Sequence, residues 1–155
     1  MASVSLDSFD LAILRHLQQD ATLPQRQIAE QVNLSAPSVQ RRIRRMTQTG
    51  VIERQAAHID PARVGLPLTI LVEVELNVET GGKVDTLKQT FTDAPEVQQC
   101  YYVTGEADFV LVILVADMAE YEALTHRLFF ASENIKRFKT FVAMDRTKAG
   151  MELNI

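Results

Sequence analysis

The spacing of hydrophobic residues in this 155-residue chain changes at residues 60–67, and this change constrains the fold more than any other feature. Before it, from Leu6 to Gln19, apolar residues recur at helical intervals. After it, from Thr69 to Val78, they alternate with polar residues as in a half-buried strand. Two prolines and Gly65 interrupt any regular pattern in between. We therefore predict two modules, residues 1–60 and 68–155, joined by a linker at 61–67.

Three short helices are predicted in the first module. The first is Leu6–Gln19, and Pro24 opens a second helix that carries Ile28 and Val32. Ser35 can cap a third, which has Pro37 in its first turn. The connection from Val32 to Ser35 has the length of a helix-turn-helix turn, and Asn33 suits a left-handed residue there.

The end of the third helix and the segment after it complete this module. Gly50 is a suitable C-terminal stop for the helix. Val51–Ile59 has room for two small strands, which would form the wing of a winged helix.

The third helix carries four arginines and no acidic residue, since no Asp or Glu lies between Asn33 and Ile52. A run of charges is usually a solvated helix face, but such a face ordinarily has acidic residues four positions from its bases. Arginine also suits bidentate contacts to phosphate or guanine. The pattern predicts a DNA recognition helix, with these DNA-binding residues: Ser35, Pro37, Ser38, Gln40, Arg41, Arg42, Arg44, Arg45 and, in the wing, Arg54.

Charge and composition agree with a cytoplasmic regulator of this kind. Residues 1–60 hold seven arginines against six acids, a net +1, whereas the rest holds nine bases against fourteen acids, a net −5. DNA contact is therefore expected in the first module. The single cysteine, Cys100, excludes an internal disulfide and a cysteine zinc site, so we expect no metal and no cofactor. The N-terminus lacks the pattern of a signal peptide, and the longest apolar run, Phe109–Ala116, is too short to span a membrane.

The second module is predicted to have the order βαββαβ, a ferredoxin-like arrangement in an α+β protein. The predicted elements are a strand at Thr69–Val78, a helix at Lys83–Thr92, strands at Glu96–Val103 and Asp108–Val115, a helix at Asp117–Phe130 and a strand at Lys136–Met144, with Met151–Ile155 as a short additional edge piece.

The strand Phe109–Val115 is apolar on both sides, which predicts that both of its faces are buried. In a sheet with two helices on one face, the other face of a monomer would expose a large apolar patch. We therefore predict a homodimer built sheet against sheet, whose two-fold symmetry suits a palindromic DNA operator.

Several motifs resemble the Lrp/AsnC family of transcriptional regulators over nearly the whole chain. They are L-D-x-x-D-x-x-I-L-x-x-L from Leu6, I-A-E-x-V-N-L-S from Ile28, R-R-I-R-R-M-x-x-x-G-V-I from Arg41, V-T-G-E-A-D-F from Val103 and F-V-A-M from Phe141. The resemblance implies a dimer-based assembly, often octameric, that binds double-stranded DNA. It also implies a small-molecule effector, most often an amino acid, held at contacts between dimers.

Carried over by position, the resemblance assigns these effector-binding residues: Thr104, Gly105, Glu106, Ala107, Asp108, Met118, Phe141, Val142 and Ala143. Thr104 and loop N–H groups would hold a carboxylate, and Glu106 or Asp108 an ammonium. Purely structural roles are the alternative: Asp108 capping a turn, Gly105 supplying a positive φ, and Phe141 packing in the core. The chain departs from the family at Ala36, where the turn commonly has proline, and at Ala107, where an aromatic residue often stands.

Two other functions were weighed. Some tetrapyrrole decarboxylases resemble the same family, but handling propionates would require histidines and bases, and His126 is the only histidine of the second module. The other alternative is an amino-acid-sensing module that no longer binds DNA. The arginine cluster argues against that function.

Overall fold

The computed structural model describes residues 5–77 and 81–155, which form two compact units. One unit comprises the chain up to His58 together with Ala149–Ile155, and the other comprises Ile59–Lys148. Val78, predicted as the end of the first strand, lies outside the described residues. Within the described residues, no helix is both long enough and apolar enough to cross a lipid bilayer.

The first unit contains three helices, α1 (Ser8–Gln19), α2 (Gln25–Gln31) and α3 (Ala36–Gln48). Asp7 caps α1 and forms a reciprocal capping box with Asp10. Ser35 accepts a hydrogen bond from the backbone N–H of Ser38 at the start of α3, as predicted. Their apolar sides meet in one core, whose fully buried members are Ile13, Ile28, Val39 and Met46.

The turn between α2 and α3 depends on Asn33, whose φ is +53°. We predicted a left-handed residue at this position, and the structure confirms it. An ordinary L-residue pays a steric penalty in this conformation, whereas glycine does not. We expect Asn33→Ala to lower the free energy of unfolding by about 1 kcal/mol, and Asn33→Gly to leave it nearly unchanged. Urea denaturation of both variants measures this, and equal losses would contradict it.

The wing strands predicted within Val51–Ile59 are not formed, because the described segment 51–60 contains no strand. Consecutive side chains of a strand point to opposite faces, whereas Val51 and Ile52 both pack on the core of the first unit. In addition, the N–H of Ile52 donates to the carbonyl of Met46. Residues 53–60 are all exposed. They therefore have no apolar face that could hold a two-stranded ribbon.

The C-terminal residues do not form the edge piece predicted at Met151–Ile155. They lie instead along α1. The side-chain amide of Gln18 donates to the carbonyl of Leu153 (3.1 Å) and accepts from its N–H (2.7 Å), and Arg15 donates to the carbonyl of Ile155 (2.5 Å). These hydrogen bonds satisfy backbone groups that a sheet edge would otherwise have to pair.

The second unit begins with a 3₁₀ turn, Pro61–Val64, and then has the predicted order βαββαβ. Its elements are β1 (Leu68–Leu76), α4 (Gly81–Asp93), β2 (Val97–Tyr102), β3 (Phe109–Val115), α5 (Met118–Thr125) and β4 (Ile135–Val142). The helix predicted to run to Phe130 continues past Thr125 as a π turn, His126–Phe130. The sheet is antiparallel with the strand order β2-β3-β1-β4.

Both helices of this unit contribute to a single core with one face of the sheet. The buried residues are Ile70, Val72, Val74 and Leu76 of β1, Phe109, Leu111, Ile113 and Val115 of β3, Val84, Leu87 and Phe91 of α4, and Tyr121, Leu124, Leu128 and Phe129 of the last helix and turn. Alternate residues of the strands point to the opposite face. We call that face the open face; its apolar members are Leu71, Tyr101, Val110, Val112, Leu114 and Phe141.

Candidate nucleic-acid interface and ligand-binding residues

Helix α3 presents a polar and cationic face away from its core. Val39 and Met46 are fully buried, and this fixes the rotation of the helix about its axis. Of the residues predicted to bind DNA, Ser38 and Arg42 are half-buried. The exposed ones are Ser35, Pro37, Gln40, Arg41, Arg44, Arg45 and, beyond the helix, Arg54.

The four arginines of α3 fall into two pairs with different environments. Arg42 and Arg45 form ion pairs with Asp10 of α1, and Arg42 also binds Asp7. Among the described residues, no carboxylate lies within ion-pair distance of Arg41 or Arg44. The nearest polar contact of Arg41 is the hydroxyl of Ser38 at 3.4 Å. Two cations of this helix are therefore neutralised by α1 and two are available to an external anion.

Arg42 is held from several sides. Its Nη1 contacts both carboxylate oxygens of Asp7 (2.9 and 2.8 Å) and one of Asp10 (2.8 Å), and its guanidinium lies 5.6 Å from the ring centre of Phe9. The backbone N–H of Asp10 and the guanidinium of Arg42 lower the pKa of Asp7 by stabilising its charged form. Hydrogen bonds to Asp10 and Asp7 raise the pKa of Arg42. These contacts join α1 to α3.

The absence of counter-charges within α3 is therefore compensated from another helix. The acidic partners that α3 itself lacks are Asp7 and Asp10, at the start of α1. A signal for the pairing is present in the sequence, because Asp7 and Asp10 are three residues apart, as are Arg42 and Arg45. Pairs with this spacing lie on one side of their helices and can match across a helix packing.

The Thr104–Asp108 loop joins β2 to β3 at the end of the sheet where β1 finishes. Gly105 has a φ of +137°, which favours glycine. Asp108 acts as a local cap, since its carboxylate accepts the N–H of Leu76 at 2.7 Å and its own N–H donates to the carbonyl of Val74 at 2.9 Å. Thr104 and Glu106 are exposed, and Ala107 is half-buried. Asp108 thus has a structural role at the end of β1, which differs from the turn cap suggested as an alternative.

The remaining effector candidates lie at the opposite end of the sheet. Phe141 and Val142 pair with Leu71 and Ile70, and the N–H of Ala143 donates to the carbonyl of Thr69. Met118, the first residue of α5, follows closely after Val115, the last residue of β3. Val115 pairs with Leu68 at the start of β1, which is the same end of the sheet. Leu71 and the loop contact at Leu76 are five positions apart along β1, about 16 Å at the rise of a strand. A single amino acid therefore could not contact both groups within one chain.

A shallow depression lies beside the loop, but it is small. It is lined by Glu73, Glu75, Glu106, Ala107, Arg137, Phe138 and Lys139, and its volume is about 10 Å³. That is room for roughly one water molecule. Much of its charge is already paired, because Lys136 and Arg137 bind Glu75 and lower its pKa.

Two family models match the chain, one on each unit. Residues 6–53 match a winged helix-turn-helix DNA-binding domain. Residues 69–153 match the Lrp/AsnC ligand-binding domain. Together they cover most of the chain.

Individual relatives agree with these matches. The chain is 42% identical to an uncharacterised HTH-type transcriptional regulator of Sinorhizobium fredii, over 95% of this chain and 87% of that protein. It is 32% identical to a solved AsnC family transcriptional regulator from Agrobacterium tumefaciens, with a TM-score of 0.90 and coverage of 96% of both chains. A transcriptional regulator of Neisseria meningitidis, solved in complex with L-methionine, has a TM-score of 0.89 at 23% identity and 96% coverage of both chains, which shows a shared fold.

Proposed function

The chain is a member of the Lrp/AsnC family of transcriptional regulators, with a helix-turn-helix DNA-binding domain and a ligand-binding domain, and we propose that the outer face of α3 reads a palindromic DNA operator. The observation that carries this proposal is the exposed pair Arg41 and Arg44, beside Gln40. Both arginines are free of carboxylates among the described residues and can form bidentate contacts with guanine in the major groove.

The other predicted DNA contacts are assigned to positioning. Ser35 and Pro37 lie at the N-terminal end of α3, where backbone N–H groups favour a phosphate, and Ser38 lies one turn before Arg41. Arg54 follows the helix in an exposed segment and would bind phosphate. These contacts would fix the register of the helix on the duplex without carrying sequence information.

The test is selection of duplexes from a random pool by the purified protein, followed by titration of a selected and a scrambled duplex. A reader of base edges should prefer the selected duplex by about 10³-fold or more. Equal affinity for both duplexes, or no binding to either, would overturn the proposal and favour the alternative of a module without DNA binding.

We further propose that the protein acts in the cytoplasm as a sheet-to-sheet homodimer that assembles further, to an octamer. The support is the open face, where Leu71, Tyr101 and Phe141 are between 38% and 53% exposed in the single chain. A second copy of the same face would bury these side chains, and charged residues such as Glu73 and Lys139 would surround them.

The effector we propose is an amino acid, bound where separate chains meet. The L-methionine complex of the structurally similar regulator supports this ligand class. The distance between the Thr104–Asp108 loop and Phe141–Ala143 supports a site shared between chains, because one chain cannot bring both groups to the same ligand. Thr104 and loop N–H groups would bind the carboxylate, and the exposed Glu106 would bind the ammonium.

A thermal-shift screen against the twenty amino acids tests the ligand class. A ligand at a hundred times its dissociation constant stabilises the native state by about 2.7 kcal/mol. For a chain of this length, the melting temperature should rise by several degrees with one or a few amino acids. Glu106→Gln should abolish the rise, whereas Glu122→Gln on α5 should retain it. A flat screen would contradict an amino acid effector.

An enzymatic tetrapyrrole decarboxylase is the weaker alternative. The relatives that match are named as transcriptional regulators. His126 stacks on the exposed Phe130, with ring centres 5.1 Å apart. An absorbance titration with siroheme distinguishes the two functions, because a decarboxylase should bind siroheme and shift its absorbance spectrum, whereas a transcriptional regulator should leave the spectrum unchanged.

A further inference from the structure

Asp10 is the most buried charged residue among the described residues of the first unit. Its side chain is 1% exposed, and both of its oxygens are used. One oxygen accepts from Arg42 at 2.8 Å, and the other accepts from the N–H of Asp7 at 3.1 Å and from Arg45. The buried carboxylate therefore binds two arginines of α3 at once.

The two arginines that bind Asp10 are not held equally. The side chain of Arg42 is 21% exposed, binds two carboxylates and lies over Phe9. The side chain of Arg45 is 45% exposed, and Asp10 is its ion-pair partner among the described residues. Arg45 also borders, with Arg41 and Arg42, one shallow depression on the surface of α3. Of the paired arginines, Arg45 is thus the one that a nearby phosphate could recruit.

The state of Arg45 bears on the overall affinity for DNA because phosphate and base contacts have different consequences. Each additional phosphate contact strengthens binding to every sequence and steepens the dependence of affinity on salt by about 0.9. A base contact strengthens binding to one sequence. A recognition helix with four free arginines would therefore bind DNA of any sequence more tightly and would depend more steeply on salt.

We propose that Asp10 limits the sequence-independent affinity of the protein for DNA by keeping Arg45 out of phosphate binding. This proposal rests on the function proposed above, DNA reading by the outer face of α3. Asp10 acts through Arg45 and is therefore a positioning residue. Arg42, tied also to Asp7, serves mainly to join α1 to α3.

The experiment compares wild type with Asp10→Asn, which keeps the shape of the side chain and removes its charge. Affinity is measured by fluorescence anisotropy on a duplex selected by the wild type and on a scrambled duplex, from about 50 to 300 mM KCl. Release of Arg45 should strengthen binding to both duplexes and steepen the salt dependence of each by about 0.9 for each helix-turn-helix engaged. The ratio of the two affinities should stay nearly unchanged, because a phosphate contact carries no sequence information.

Two further variants separate this effect from altered net charge or altered folding. Asp20→Asn changes the net charge equally but concerns the end of α1, where Asp20 binds Thr22, so its salt dependence should equal that of wild type. Asp10→Asn combined with Arg45→Gln should return the salt dependence to that of Arg45→Gln alone. If Asp10→Asn does not fold, Arg45→Gln in the wild-type background decides. Its salt dependence should be unchanged, whereas Arg54→Gln, at an arginine assigned to phosphate, should reduce the salt dependence by about 0.9.

The outcomes distinguish this inference from the function on which it rests. If the wild type binds neither duplex, the proposed DNA reading fails and this inference fails with it. If the wild type discriminates but Asp10→Asn leaves the affinity for the scrambled duplex and its salt dependence unchanged, this inference alone is wrong. An equal effect of Asp20→Asn, or equal effects of Arg45→Gln and Arg54→Gln, would also overturn it.

Discussion

Replacing Arg44 with alanine is expected to weaken binding to the selected duplex by a large factor while leaving the fold intact. Arg44 is exposed on the outer face of α3 and has no carboxylate partner among the described residues. Losing a bidentate base contact costs about 1–3 kcal/mol. Both helices of a dimer carry the change, so the combined loss should be at least about thirtyfold, because about 1.4 kcal/mol corresponds to tenfold. Titration by fluorescence anisotropy measures it.

The matched control for this variant is Arg63→Ala. Arg63 is also an exposed arginine, with 87% of its side chain accessible, but it belongs to the second unit. Its replacement should change affinity by less than about twofold and stability by less than about 0.5 kcal/mol. If Arg44→Ala weakens the selected and the scrambled duplex equally, Arg44 binds the phosphate backbone. An affinity within twofold of wild type would contradict any DNA role for this residue.

Replacing Val112 with aspartate is expected to break the dimer. Val112 is half-buried in the middle of the open face, where it pairs with Leu71 of β1 and Gln99 of β2. In a sheet-to-sheet dimer, both copies would bring a charge into the apolar part of the interface, at a cost of several kcal/mol per ion. Light scattering at micromolar concentration should then give the mass of one 17.4 kDa chain. Affinity for a palindromic duplex should fall together with the mass.

Ala119→Asp is the control for the dimer prediction. It adds the same charge at an exposed position in the first turn of α5, on the other side of the sheet, where a helix N-terminus tolerates an acid. Its mass should equal that of wild type. A monomeric wild type, or a Val112→Asp variant with the wild-type mass, would contradict the sheet-to-sheet dimer.

Features that depend on neighbouring residues along the chain were predictable from sequence. Ser35 as a cap, Asn33 with a positive φ and Gly50 at the end of α3 follow from local backbone chemistry, and the structure has all three. The alternation of apolar and polar residues in β1 was likewise predictable, because a period of two is a property of the strand itself. The predicted order βαββαβ is the order that the structure has.

Features that depend on contacts between distant residues were not predictable in the same way. The pairing of Asp10 with Arg42 and Arg45 spans more than thirty positions, and the hydrogen bonds of Gln18 to Leu153 span 135. The predicted wing strands failed for a related reason, since Val51 and Ile52 pack on a core that local spacing does not reveal. The candidate effector residues, chosen by resemblance, lie at two ends of one sheet. Their assembly into one site requires a second chain.

The most direct test of the whole account is the affinity of the wild-type protein for its selected duplex with and without a mixture of the twenty amino acids at millimolar concentration. A regulator whose assembly responds to an amino acid should change its apparent affinity by between about 5- and 150-fold, the usual range of coupling between two ligands. The scrambled duplex and a mixture lacking any active amino acid serve as controls. Identical titrations with and without the mixture would contradict effector-coupled DNA binding.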